Sequence, residues 1–106
     1  MKRPQVVQSI KEILHKAAPT AEVILYGSEA RGDARKDSDI DLLILVDKEK
    51  ITNQDIEDIT YPLYKFERTF NYRFSISPLV YTRNQWYNRP RTPFFINVMN
   101  EGIKLQ

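Results

Sequence analysis

The segment Ile40 to Val46, "IDLLILV", most narrows what this chain can become. After Asp41 it is apolar on both of its alternating faces, which is the pattern of a central strand covered above and below. A strand with one wet face would alternate. Cover on both sides has to come from other elements, and the flanking sequence supplies helices. With 106 residues the chain can bury only a little over ~60% of its unfolded surface. That is material for one core, so residues 1–106 are expected to form a single domain.

Val6, Val7, Ile10, Ile13, Leu14 and Ala17 recur at three- and four-residue steps and predict an amphipathic helix over residues 4–18. Pro4 suits its first turn and Pro19 closes it. "EVILY" (22–26), between a proline turn and Gly27, reads as a strand. Thr52 with Asp55 three positions on is a near capping box for a helix over 53–69, and Pro62 inside it predicts a kink or two shorter helices. "YRFSISPLVYT" (72–82) reads as a third strand, with Pro78 marking a bulge or a sheet edge. "NQWYNRPR" (84–91) reads as a loop. Thr92 and Pro93 then open a last helix that Gly102 is placed to end. The expected class is α+β, with helices packed on a small mixed sheet.

Composition excludes several functions. There is no cysteine, so neither a disulfide framework nor a thiolate zinc site is available. The N-terminal stretch "MKRPQVVQSI" turns polar too soon for a signal peptide, and no apolar run approaches the ~20 residues of a membrane span. A cytoplasmic location with no membrane association is the expectation. The net charge of +2 does not call for a polyanionic partner, which argues against nucleic acid. Its distribution is uneven: twelve of the fourteen acids fall between Glu12 and Asp58. Residues 68–100 carry no acid but five arginines (Arg68, Arg73, Arg83, Arg89 and Arg91), interleaved with aromatics. Such interleaving serves single-strand binding or, more economically, core packing and an interface. His15, the lone histidine, reads as a surface residue near a helix C-terminus.

Asp39 and Asp41 are two apart. On a strand both carboxylates leave the same face, ~7 Å apart between α-carbons. Oxygen donors in that arrangement suit a hard divalent ion that also grips phosphate, although a pair of solvated acids at a strand end would look the same. Gly27-Ser28 breaks the preceding strand and offers backbone N–H groups and a hydroxyl, donors that a phosphate accepts from. Taken alone it is equally a plain turn with Ser28 as a helix N-cap. Arg31 could reach a phosphate or pair with a nearby acid.

Together these pieces are more specific. Gly27-Ser28, ten residues, then Asp39-x-Asp41, with Ala30-Arg31-Gly32 in the gap, resembles the signature of the DNA polymerase β-like nucleotidyltransferase superfamily. The string "YGSEARGDARKDSDIDLLI" is similar to its minimal (MNT-type) branch. The resemblance implies a polymerase β-like fold and transfer of a nucleoside monophosphate from an NTP, ATP foremost, to a hydroxyl of a protein or small molecule. It further implies Mg²⁺ (or Mn²⁺) on Asp39 and Asp41 as catalytic and metal-binding residues, and nucleotide phosphates on Gly27, Ser28 and Arg31. One departure stands out. The family pattern places a third carboxylate on the strand after the next helix, and here that strand carries Ser75 and Ser77 instead. A neutral hydroxyl is a poor metal ligand and proton acceptor. The chain would then bind Mg-NTP without transfer, transfer weakly, or borrow an acid from another chain. The resemblance also implies an alternative role as an MNT-type antitoxin, binding a HEPN-type toxin partner or a second copy of itself.

Overall fold

The computed structural model describes all 106 residues. In chain order it comprises α1 (Pro4–Ala17), β1 (Glu22–Tyr26), α2 (Gly27–Arg31), β2 (Asp39–Val46), α3 (Asn53–Thr69), β3 (Ser75–Thr82), α4 (Arg83–Tyr87), α5 (Pro93–Glu101) and β4 (Ile103–Lys104). The four strands form one mixed sheet in the order β3-β2-β1-β4. β1 runs antiparallel to β2 and β4, while β2 and β3 are parallel, joined by the crossover through α3. The α+β class with helices on a small mixed sheet is what the chain adopts.

The apolar run at β2 makes it a central strand, with Ile40 and Leu42 to Leu45 fully buried. Its two faces have different covers. Ile40, Leu42, Ile44 and Val46 face the main core under α1 (Val7, Ile10, Leu14) and α3 (Ile59, Leu63). Leu43 and Leu45 face a smaller apolar group built from Ile24, Trp86 of α4, and Phe95 and Val98 of α5. Both alternating faces of the strand are apolar because each has its own helical layer.

Local signals explain the element ends. Thr52 accepts from the Asp55 N–H while Asp55 accepts from the Thr52 N–H, a reciprocal capping box that starts α3. Pro62 does not divide α3, which stays one helix of 17 residues. The apolar stripe through Ile59 and Leu63 keeps packing on the sheet past the proline, and that burial outweighs the one lost backbone bond. Pro78 lies on β3, the sheet-edge strand, as its missing N–H requires. Glu67 reaches back from α3 and accepts from the Ile76 N–H at 2.8 Å, so part of that edge is already taken.

Other departures are β3, which starts at Ser75 and not Tyr72 because residues 71–72 form a left-handed turn, and two short elements. Residues Arg83–Tyr87 are helical, not loop, because Thr82 and Gln85 form a second reciprocal capping box and Trp86 is driven into the core. The short β4 pairs with β1 and has too little sequence to read as a strand. Gly102 ends α5, but its φ is ordinary. The need for glycine is spatial, since a β-carbon there would overlap Ile24 Cγ2 and the Val98 carbonyl.

Candidate functional site

The strand-to-helix turn after β1 and the mouth of β2 are adjacent because Tyr26 pairs with Asp41 across the antiparallel ladder. Gly27 follows at a φ of +74°, and a β-carbon there would overlap Asp41 Oδ2. Only glycine permits both the turn and that close approach. Ser28 lies inside α2 and caps nothing. The N-cap is Tyr26, which makes no side-chain cap bond, so the plain-turn role for Ser28 as N-cap is not the one the chain uses.

Asp39 and Asp41 lie on one face of β2, the face shared with α4 and α5. Asp39 is exposed and Asp41 is half-buried. Burial pushes the Asp41 carboxyl above the usual carboxylate range, and the Asp39 charge adds to this; Arg31 opposes both. Two crowded anions at the end of a covered strand form a donor set that a divalent cation would relieve, so these residues fit a hard metal ion. No third His, Cys, Asp or Glu completes a ligand cluster with them. The register states what stands in that place: Ser75 is opposite Asp39 and Ser77 is opposite Asp41.

Arg31 lies at the end of α2 and is engaged. It donates from Nη1 to Glu101 at 3.1 Å and from Nε to Asp33 at 3.3 Å. Beside Asp41, Tyr26 packs edge-on against the half-exposed Phe94, with centroids 5.6 Å apart. Burial first, then the charge of Asp41, pushes the Tyr26 hydroxyl up to about 12. It stays a neutral phenol that can donate.

One residue of the motif has a role the sequence does not signal. Glu29 is fully buried beneath α2. It accepts from the N–H groups of Lys2 and Arg3 at 2.5 and 2.9 Å and from Arg3 Nε at 2.6 Å, and Arg3 Nη2 in turn donates to the Ser38 carbonyl at 2.9 Å. The chain's first residues, α2 and the approach to Asp39 are thereby tied together. His15 bonds Gln106 at 3.2 Å, an exposed contact between the end of α1 and the last residue.

With this geometry in view, comparison with known proteins decides the family. A family model described as a nucleotidyltransferase domain matches residues 7–96. The chain belongs to that nucleotidyltransferase family. A relative from Methanocaldococcus jannaschii, whose name gives it a provisional protein adenylyltransferase activity, is 36% identical over 83 residues. Those residues are 78% of this chain and 76% of the relative. Among solved structures, a chain from the crystal structure of a toxin-antitoxin with AMP-PNP superposes with a TM-score of 0.64. It is 18% identical and covers 93% of this chain and 71% of its own; that likeness concerns the fold. The nucleotidyltransferase domain described here is therefore of the polymerase β-like kind. No helix in it is long and apolar enough to cross a membrane.

Proposed function

We propose that this nucleotidyltransferase domain binds ATP with a divalent cation at the mouth of β2 and transfers the adenylyl group to a protein hydroxyl. The observation that carries the reading is the pair Asp39 and Asp41, held on one strand face against a glycine that leaves room for nothing larger. Asp39 and Asp41 would hold Mg²⁺ or Mn²⁺, which supplies Lewis-acid stabilisation of developing charge on the phosphate oxygens. The Gly27 and Ser28 N–H groups and the Ser28 hydroxyl would donate to the β- and γ-phosphates. Arg31 would exchange Glu101 and Asp33 for a phosphate oxygen. In the transfer an acceptor oxygen bonds to the α-phosphorus, the bond from that phosphorus to pyrophosphate breaks, and the acceptor proton passes to water or a carboxylate. The name of the M. jannaschii relative favours adenylyl transfer to protein over other acceptors.

The missing third acid predicts slow transfer. Serine at 75 and 77 leaves the attacking side of the site without the carboxylate that would take the proton. A second reading is that the chain acts chiefly as a binding partner, an MNT-type antitoxin on a HEPN-type toxin. The toxin-antitoxin neighbour and the exposed apolar residues Phe94, Ile96 and Met99 on α5 favour it. The two readings are compatible if the partner is also the acceptor.

The test is calorimetric titration of MgATP into the wild-type chain and into Asp39→Asn/Asp41→Asn. Binding that requires the cation and disappears in the variant is the expected outcome. ATP binding that is equal with EDTA, or equal in the variant, would overturn the site. Where binding holds, a hundredfold excess over Kd adds about 2.7 kcal/mol of stability to the wild type alone, visible as a higher Tm.

A further inference from the structure

Beside the mouth of β2, on the side of β3, runs a groove that the nucleotide site does not use. One part, about 470 Å³, is lined by Lys36, Tyr72, Arg73, Phe74 and Ser75. An adjoining part of about 450 Å³ shares Lys36, Arg73 and Phe74 and adds Lys2, Arg3, Arg35 and the half-exposed Phe70. Each part has the size of a ligand cleft. The groove opens at the site itself, because Ser75 is the register partner of Asp39.

Its charge is one-sided. Lys2, Arg35, Lys36 and Arg73 form no ion pair with any acid of the chain. Arg3 is paired with Glu29, yet its Nη1 has no hydrogen-bond partner. Asp37 is the only acid among the lining residues. Cations gathered in one cleft without partners repel each other and favour an anion there.

Tyr72 supplies a second, independent sign. It sits at the groove mouth with 65% of its surface exposed and a φ of +57°, next to Asn71 at +53°. Asparagine tolerates that left-handed region, but tyrosine is strained in it. Neither folding nor burial calls for a tyrosine in that turn. A ring held outward at a cationic cleft is placed to cover whatever docks there.

We propose that this groove docks the acceptor: an acidic segment of polypeptide that brings its hydroxyl residue to Asp39 and Asp41. This rests on the reading of the chain as a protein adenylyltransferase. Peptide is favoured over nucleic acid by the lining. Phe74 is buried, and Phe70, though half-exposed, packs on Phe66 and Phe74 with centroids 5.1 and 5.8 Å apart, which leaves Tyr72 as the one ring standing free and no ladder of stacking surfaces for successive bases. The net charge of +2 also gives little long-range pull on a polyanion. Carboxylates spaced along a short segment complement the four unpaired cations Lys2, Arg35, Lys36 and Arg73 of the lining.

The test uses the full chain and a fluorescein-labelled peptide of glutamates flanking one tyrosine. Controls are the same peptide with lysines in place of glutamates, and a single-stranded RNA oligonucleotide of equal length. Fluorescence anisotropy measures binding without nucleotide, and MgATP titration of the same samples reports the nucleotide site separately. The acidic peptide is expected to bind, the lysine peptide not, and Lys36→Glu/Arg73→Glu to weaken binding at least tenfold. Tyr72→Gly is expected to weaken binding severalfold while raising Tm, a combination that a merely structural tyrosine would not give. No acidic-peptide binding, binding indifferent to the charge reversal, or tighter RNA binding would each overturn the docking proposal. A chain that binds the peptide but not MgATP would keep the groove and remove the nucleotide reading; the reverse result would do the opposite.

Discussion

Asp41 is half-buried at the mouth of β2, with its carboxyl pushed up by burial first and Asp39 second. A carboxyl whose pKa is raised on folding favours the fold only below its unfolded pKa, and loses that contribution as pH rises through the folded one. At neutral pH the ionised Asp41 is therefore a cost to stability. Asp41→Asn is expected to raise stability at pH 7 by up to about 1 kcal/mol, kept small because the group is partly solvated. Under the proposed function the same change is expected to abolish cation-dependent ATP binding. Urea unfolding beside the titration checks it; a destabilised Asp41→Asn protein would mean the carboxylate holds the fold together. At this scale the sequence spoke clearly. Spacing alone put both carboxylates on one strand face, and Gly27 is glycine for the reason its position beside Asp41 supplies.

Elements decide which side chains stand opposite one another. α3 carries the chain from the end of β2 back to the start of β3, so the two strands are parallel and Ser77 falls across from Asp41. Ser77→Asp places a carboxylate in the row that the family pattern fills with one. Adenylyl transfer to a fixed acceptor is expected to rise by roughly a hundredfold or more, the scale on which such groups act, while the Kd for MgATP changes little. Initial rates with radiolabelled ATP measure it, and an unchanged rate would show that the third acid is supplied elsewhere. Most elements were legible from periodicity and caps, α3 to the residue. The helix at Arg83–Tyr87 was missed because five residues are too few for a period to show, although Thr82 and Gln85 spelled its capping box. Of the two outcomes read from Pro62, division into two helices does not occur, since a proline's local cost was outweighed by packing that only the assembled sheet provides.

Across the whole molecule, Glu29 joins parts of the chain that sequence keeps far apart. Burial alone would raise its pKa, but hydrogen bonds from the Arg3 side chain and from the Arg3 and Lys2 N–H groups bring it below the ordinary glutamate value. A depressed carboxylate contributes stability above its unfolded pKa, near 4.5, and loses it as pH falls through the folded one. Glu29→Gln is expected to cost about 3 kcal/mol at pH 7, since Arg3 would be left without its partner. The wild type should lose that advantage as pH is lowered through the carboxylate range, so the two proteins converge in acid. Urea midpoints across that range test it, and parallel curves would rule out Glu29 as the titrating group.

By itself the sequence determined the α+β class, the order of its longer elements and the pair Asp39 and Asp41, because periodicity, caps and two-residue spacing are local and follow from backbone geometry. The family resemblance had already put Ser75 and Ser77 in the place of a third acid; the tertiary structure supplied the register that sets them opposite Asp39 and Asp41. It also decided that Trp86 is core, that Glu29 anchors the chain's first residues, and that Lys2, Arg35, Lys36 and Arg73 share one groove. Each of these depends on residues distant in sequence meeting across a sheet register or a packed layer, and the pattern of any single segment does not encode such meetings.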